Sequence, residues 1–121
     1  MHVILLVDDD GSLRSMLRRT LERAGYAVVE ATNGRSALAA LAHNTVDLVL
    51  TDVIMPDMEG IELILQLRKT RPELPVIAMS GGGVLPAGMY LRMALDMGAV
   101  SVLAKPFDST AMLSAVAAIL G

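Results

Sequence analysis

Short apolar segments alternate with longer amphipathic segments along the whole chain. The apolar segments predict five β-strands, at His2–Val7, Ala27–Glu30, Asp47–Thr51, Pro75–Met79 and Val100–Ala104. The first, third and fourth of these are almost wholly apolar, which is typical of strands covered on both faces of a parallel sheet. Because a segment of helical periodicity follows each strand, the pattern predicts an α/β fold with a doubly wound sheet and helices on both faces.

Five helices are predicted from apolar spacing and from capping residues. The first carries apolar residues from Leu13 to Ala24 with arginines on its solvated faces, and Gly25 ends it. The second runs from about Gly34, after an Asn33 cap, to His43, and the third follows Pro56 and Asp57 and ends before Pro72. The fourth carries Leu91, Ala94 and Leu95 and continues up to Gly98, and the fifth runs from an Asp108 cap to Gly121.

The fourth helix carries an unusual methionine stripe. One of its faces, which we expect to cover the sheet, carries Leu91, Ala94 and Leu95. The nearly opposite face carries Met89, Met93 and Met97. Surface helices normally carry charge there, so the stripe predicts an exposed apolar face for a partner or for homodimer formation through helices four and five. The alternative is a rotated helix whose methionines belong to the core.

Composition excludes several classes of protein. The 121 residues include no cysteine, which rules out disulfide frameworks and thiolate metal sites. Aromatic residues make up 2% of the chain and the net charge is −3, so we expect no direct nucleic-acid binding. The first apolar run, Val3–Val7, is too short for a signal peptide or a membrane span, and we expect a cytoplasmic protein.

Polar residues stand where four of the predicted strands end. Asp8 and Asp9 follow the first strand, Asp52 follows the third, Ser80 the fourth and Lys105 the fifth. Ligands of doubly wound folds bind at this edge of the sheet, and clustered carboxylates require a counter-charge that Mg²⁺ supplies well. A carboxylate can also accept a phosphoryl group covalently, with a hydroxyl and an ammonium nearby to stabilise the charge. These residues alone leave open whether Asp52 or Asp8 is the acceptor.

The same segments resemble the receiver domain of two-component response regulators. The resemblance is carried by ILLVDDD at 4–10, VDLVLTDVIMPDMEG at 46–60, PVIAMS at 75–80 and VLAKPF at 102–107. It implies a flavodoxin-like receiver fold with strand order 2-1-3-4-5, and a single receiver domain over residues 1–121 without an output domain. It also implies a cis bond between Lys105 and Pro106.

By position, the resemblance assigns a role to each polar strand end. Asp52 matches the phosphoacceptor, and Asp8 and Asp9 match the metal-binding acidic pair. A further Mg²⁺ ligand is expected from the Ile54 carbonyl, while Ser80 and Lys105 match the switch hydroxyl and the phosphate-contacting lysine. Asp10 is expected to be an exposed cap of the first helix, and Asp57 to lie in a turn or at a helix start.

The resemblance implies a signalling phosphoprotein and not an enzyme in the usual sense. A sensor histidine kinase or a histidine phosphotransfer protein would donate the phosphoryl group in a Mg²⁺-dependent reaction. Phosphorylation would then change a surface on helix four, strand five and helix five that binds a downstream protein target.

Two departures from the family and two alternatives accompany this interpretation. Val102 stands where receivers usually have Tyr or Phe, and the segment from Ser80 to Gly98 is long and rich in glycine. DDDGSL at 8–13 also matches the opening motif of haloacid-dehalogenase-type phosphatases, in which Asp8 would be the nucleophile. The second alternative is a degenerate receiver that only binds partners.

Overall fold

The computed structural model describes residues 1–53, 59–81 and 87–121, apart from the side chains of Glu59, Ala87, Tyr90 and Leu91. Strands and helices alternate strictly in this part of the chain. The strands are β1 (Val3–Val7), β2 (Ala27–Ala31), β3 (Leu48–Asp52), β4 (Val76–Ser80) and β5 (Ser101–Ala104). The helices are α1 (Gly11–Arg23), α2 (Gly34–His43), α3 (Glu59–Thr70), α4 (Ala87–Asp96) and α5 (Ser109–Leu120).

The five strands form one parallel sheet in the order β2-β1-β3-β4-β5. The apolar strands β1, β3 and β4 lie at its centre, and β3 and β4 are buried along their whole length. This confirms the fold class and the strand order that the resemblance implied. Each observed strand begins or ends within one residue of its predicted boundary, because the change from apolar to polar residues marks where the sheet meets solvent.

Successive residues of the central strands point into two separate cores. Leu5, Val7 and Val49 face the layer formed by α2, α3 and α4. Ile4 and Leu6 face the other layer, where α1 and α5 contribute Leu17, Leu21, Met112 and Val116. A strand buried on both faces must be apolar at every position, which explains why these segments do not alternate with polar residues.

Side-chain caps start three of the helices. Asp10 accepts hydrogen bonds from the backbone of Ser12 and Leu13 at the start of α1, and Asp108 accepts one from Ala111 at the start of α5. Asn33 and Ser36 form a capping box on α2. These contacts confirm the predicted helix starts and the capping role of Asp10. Within the described residues, no helix has the length and apolarity needed to span a bilayer.

The prediction that Met93 and Met97 lie on the exposed face of α4 is wrong. Ala94 faces the core as expected, but Met93 and Met97 are half-buried and pack against the same core cluster. Leu95 was expected to be buried and is 46% exposed, whereas Met89 is 52% exposed. The side chain of Leu91 lies outside the described residues. The small Ala94 side chain faces the sheet, and the long, flexible methionines pack beside it.

Candidate functional site

Four strand ends bring the predicted polar residues to one edge of the sheet. Asp8 follows β1 directly, Asp52 and Ser80 are the last residues of β3 and β4, and Lys105 follows β5. The register aligns these ends, since Val7 pairs with Thr51 and Asp52 pairs with Met79. The backbone N–H of Lys105 donates to the Ser80 carbonyl at 2.8 Å, which extends the β4–β5 pairing by one residue.

Asp8 is fully buried, and hydrogen bonds fix both its backbone and its side chain. Its backbone N–H donates to the Ala31 carbonyl at 3.2 Å, and its Oδ1 accepts from the backbone of Asp10 at 2.9 Å. Asp9 is exposed, and its carboxylate has no hydrogen-bond partner among the residues that the structure describes. The acidic pair therefore consists of one rigid carboxylate and one that faces solvent.

Lys105 joins the two buried carboxylates. Its Nζ lies 3.0 Å from Asp8 Oδ2 and 2.8 Å from Asp52 Oδ2. Burial lowers the pKa of Lys105, but the hydrogen bonds and negative charges of Asp52 and Asp8 outweigh this effect and hold the pKa above its ordinary value. The ammonium therefore stays charged and acts as a counter-charge for both aspartates.

The carboxylates of Asp8, Asp9 and Asp52 fit a hard divalent cation. One oxygen from each lies within 4.8 Å of the others, and Asp8 and Asp52 are buried. Three carboxylates against one ammonium leave two uncompensated negative charges, which a divalent ion would neutralise. Oxygen ligands from one or two carboxylates are those that Mg²⁺ usually takes in proteins, together with water and phosphate.

Ser80 contributes a buried hydroxyl at the same edge. Its Oγ has no hydrogen-bond partner among the described residues, although the side chain is fully buried. Most buried polar groups are paired, so an unpaired one at a strand end indicates a position where a ligand atom can accept its hydrogen. The next residue, Gly81, lies against Lys105: a Cβ there would stand 3.0 Å from the lysine Cβ. The bond between Lys105 and Pro106 is cis, which confirms the expectation.

Gly60, in the first turn of α3, lies against the backbone at the end of β3. A Cβ on Gly60 would stand 2.1 Å from the Asp52 carbonyl oxygen and 2.7 Å from the Val53 Cα. Only a residue without a side chain allows this approach. The helix therefore contacts the main chain that carries Asp52.

Arg14 contacts the acidic edge, and this role was not recognised from the sequence. Arg14 was interpreted as part of the solvated face of α1, but its side chain is only 19% exposed, and its Nη1 donates to the Asp8 carbonyl oxygen at 2.8 Å. Its Nε donates to Glu30 Oε1 at 2.9 Å. The spacing of four residues from Asp10 to Arg14 places this side chain over the start of α1, and that was the signal available in the sequence.

The similarity of this chain to known proteins points to one family. Residues 4–117 match the response regulator receiver domain. The chain belongs to that family. It is 42% identical over 106 residues to the DNA-binding transcriptional regulator NtrC of Salmonella typhimurium. The aligned region makes up 88% of this chain and 22% of the regulator. It is 40% identical over 118 residues to the response regulator MprA of Mycolicibacterium vanbaalenii, and the aligned region makes up 97% of this chain and 49% of that protein.

Solved receiver structures have the same fold. A CheY-like receiver domain protein from Methanospirillum hungatei superimposes with a TM-score of 0.86 at 30% identity, over 98% of this chain and 92% of that one. The chemotaxis protein CheY4 of Vibrio cholerae gives a TM-score of 0.85 at 31% identity, over 98% of each chain. The chain spans about a fifth to a half of the length of the curated relatives named above. The similarity to those regulators therefore concerns their receiver portion.

The structure brings together five of the six predicted site residues. Asp8, Asp9, Asp52, Ser80 and Lys105 lie at one edge of the sheet. Ile54, predicted to offer its carbonyl to the metal, lies outside the described residues, as do Asp57 and most of the glycine-rich segment between β4 and α4. Val102 is half-buried and packs against the core shared by α2, α3 and α4.

Proposed function

We propose that this receiver accepts a phosphoryl group on Asp52 in a Mg²⁺-dependent reaction. The observation that carries the proposal is the bond from Lys105 Nζ to both Asp52 and Asp8 at the carboxyl edge of the sheet. As the phosphoryl group moves, its bond to the donor breaks and a bond from phosphorus to an Asp52 carboxylate oxygen forms, giving an acyl phosphate.

Each neighbouring side chain has a part in this reaction that follows from its chemistry. Asp8, Asp9 and Asp52 would hold Mg²⁺, with the Ile54 carbonyl as a further expected ligand. A bound Mg²⁺ would supply positive charge to the phosphoryl oxygens. Lys105 stays charged and can pair with a phosphoryl oxygen. The unpaired hydroxyl of Ser80 can donate a hydrogen bond to another.

The donor would be a sensor histidine kinase or a histidine phosphotransfer protein. An apolar depression of about 290 Å³ lies directly beside Lys105, with Leu13 and Met16 of α1 and Phe107 in its lining. Met16 is about half exposed there. A protein donor could cover this depression while its phosphohistidine approaches Asp52, because exposed apolar surface next to a reactive group favours protein contact.

Phosphorylation would act on a downstream target through α4, β5 and α5. Met89, Leu95 and Val100 are exposed large apolar side chains in and just after α4. Helix α5 has no charged residue. Formation of a homodimer through α4 and α5 stays a prediction. Val102 replaces the usual aromatic residue of this surface, so the coupling to Ser80 must use other contacts.

The test is covalent labelling with acetyl phosphate in Mg²⁺, followed by intact mass. One hydroxylamine-labile phosphoryl group should be added to the wild-type protein and none to Asp52→Asn. Removal of Mg²⁺ with a chelator, or Asp9→Ala, should abolish labelling with the fold retained by circular dichroism. Asp10→Asn is the matched control, because Asn caps a helix as well as Asp does and, among the described residues, the Asp10 side chain forms hydrogen bonds only with the backbone of Ser12 and Leu13.

The alternative acceptor is tested in the same experiment. If Asp52→Asn is still labelled and Asp8→Asn is not, the phosphatase-type mechanism with Asp8 as nucleophile is correct and the proposal is wrong. If the wild-type protein takes no label from acetyl phosphate or from any kinase, the chain is a receiver that only binds partners.

A further inference from the structure

Arg14 connects helix α1 to the peptide bond between the two acidic residues. Its Nη1 donates to the carbonyl oxygen of Asp8 at 2.8 Å, while its Nε donates to Glu30 at 2.9 Å. The guanidinium is a rigid planar fork, so Glu30 fixes the direction in which Nη1 points. Arg14 therefore holds the Asp8 carbonyl in one orientation, and Glu30 holds the Arg14 side chain in place.

That peptide bond determines where the Asp9 carboxylate lies. The peptide group is planar, so the orientation of the Asp8 carbonyl also sets the position of the Asp9 Cα. Asp8 is fixed independently by Ala31 and Asp10, but no described residue forms a hydrogen bond or an ion pair with the Asp9 carboxylate. Among the described residues, the position of Asp9 therefore depends on its main chain and not on a polar partner of its carboxylate.

We propose that Arg14 is a positioning residue for the divalent cation, acting through the peptide between Asp8 and Asp9. The inference rests on the proposed function, because it takes these carboxylates as the metal ligands. A ligand whose backbone is already oriented loses less conformational entropy when it binds the ion. Residues that orient metal ligands typically change affinity 10- to 100-fold, and since Arg14 acts through the backbone we expect about tenfold.

If the role of Arg14 were purely electrostatic, its removal would change the Mg²⁺ affinity in the opposite direction. A guanidinium near the site repels a cation, so its removal would strengthen metal binding. A positioning role predicts that its removal weakens binding. The direction of the change alone therefore separates the two explanations.

Arg18 provides a matched control on the same helix. It is one turn further along α1 and also pairs with Glu30, but its hydrogen bonds and ion pairs go to Glu30 and Glu22 and not to Asp8. Arg14→Gln and Arg18→Gln each remove one positive charge and one bond to Glu30. Only the first frees the Asp8 carbonyl.

The experiment measures Mg²⁺ binding by titration calorimetry on the unphosphorylated wild type, Arg14→Gln and Arg18→Gln. Arg14→Gln should bind about tenfold more weakly, and Arg18→Gln should match the wild type. In the metal-free proteins, the ¹⁵N order parameter of the Asp9 amide reports on the same peptide, and it should fall in Arg14→Gln only. With acetyl phosphate, Arg14→Gln should need more Mg²⁺ for half-maximal labelling and reach the wild-type rate at saturation.

Unchanged or tighter Mg²⁺ binding by Arg14→Gln overturns the proposal, whatever the order parameter does. Arg14→Lys is a second variant in case Arg14→Gln does not fold. It keeps the charge but replaces the planar fork, through which Glu30 fixes the bond to Asp8, with a flexible ammonium, so it should also bind Mg²⁺ more weakly. If Arg18→Gln weakens binding equally, the effect comes from Glu30 and the proposal is wrong. Absence of Mg²⁺ binding by the wild-type protein would overturn the proposed function and this inference with it.

Discussion

Replacement of Gly60 by Ala should destabilise the protein and disturb the main chain of Asp52, the proposed acceptor. The added methyl group would stand 2.1 Å from the Asp52 carbonyl oxygen, where an ordinary contact is 3.4–4 Å. The three closest atoms are this oxygen and the Val53 Cα and carbonyl oxygen, and all belong to the main chain. None can rotate away, so α3 must move relative to β3 by more than about 1 Å.

The magnitude follows from two opposing effects. Overpacking in a rigid environment costs about 1–3 kcal/mol, and we take the upper value because the obstacle is backbone. Ala has a higher helix propensity than Gly, which stabilises the helix by about 0.8 kcal/mol. The expected loss in the free energy of unfolding is therefore about 2 kcal/mol. For a domain of this size that lowers Tm by about 8 °C.

Gly88 offers a control at the equivalent position of another helix. Gly60 and Gly88 are each the second residue of their helix, but a Cβ on Gly88 would meet nothing within 4 Å. Gly88→Ala should raise the free energy of unfolding by about 0.8 kcal/mol. Thermal and urea unfolding followed by circular dichroism measure both variants, and acetyl phosphate labelling should be slower in Gly60→Ala. Equal Tm values for the two variants would show that the contact at Gly60 does not constrain the fold.

Three further predictions concern individual side chains. Ser80→Ala should raise the free energy of unfolding of the unmodified protein by up to about 3 kcal/mol in urea titration, since it removes a buried hydroxyl that has no partner among the described residues; a clear loss would mean that the hydroxyl has a partner. Hydrogen bonding to arginine, with burial opposing it, holds the pKa of Glu30 below its ordinary value of 4.5. Its stabilising effect is therefore complete above the unfolded pKa and lost as pH falls through the folded one, so wild type and Glu30→Gln should differ at pH 7 and converge in acid. Lys105→Met should lower the stability by about 2 kcal/mol without divalent ions, because it removes the ammonium that pairs with Asp8 and Asp52. Mg²⁺ should restore part of this loss, and equal losses with and without Mg²⁺ in thermal unfolding would contradict the prediction.

The acidic edge of the sheet could be predicted because it depends on topology alone. Parallel strands in an alternating chain end on the same side, so Asp8, Asp52, Ser80 and Lys105 were expected to meet before any distance was known. The central strands were equally predictable, since burial on both faces requires continuous apolar sequence. Such features follow from the order of the elements and not from the packing of individual side chains.

Packing details could not be predicted in the same way. The face that α4 presents to the sheet depends on how closely Ala94 lets it approach, and apolar residues occupy both faces of that helix. The role of Arg14 depends on a hydrogen bond to a carbonyl oxygen, which every residue possesses. The spacing from Asp10 places the Arg14 side chain over the start of α1, but it does not indicate which carbonyl oxygen the side chain contacts. The contact at Gly60 likewise involves only main-chain atoms.

The unpaired hydroxyl of Ser80 has an energetic consequence for signalling. Burial of a polar group without a partner costs about 1–3 kcal/mol, and Ser80 Oγ has no partner among the described residues. A ligand atom that accepts the hydroxyl hydrogen in one arrangement of the protein, and not in another, would release that free energy selectively. Allosteric coupling of about 1–3 kcal/mol corresponds to a 5- to 150-fold change in a population ratio. The free energy gained by pairing this one hydroxyl is thus sufficient to determine which of two arrangements is more populated.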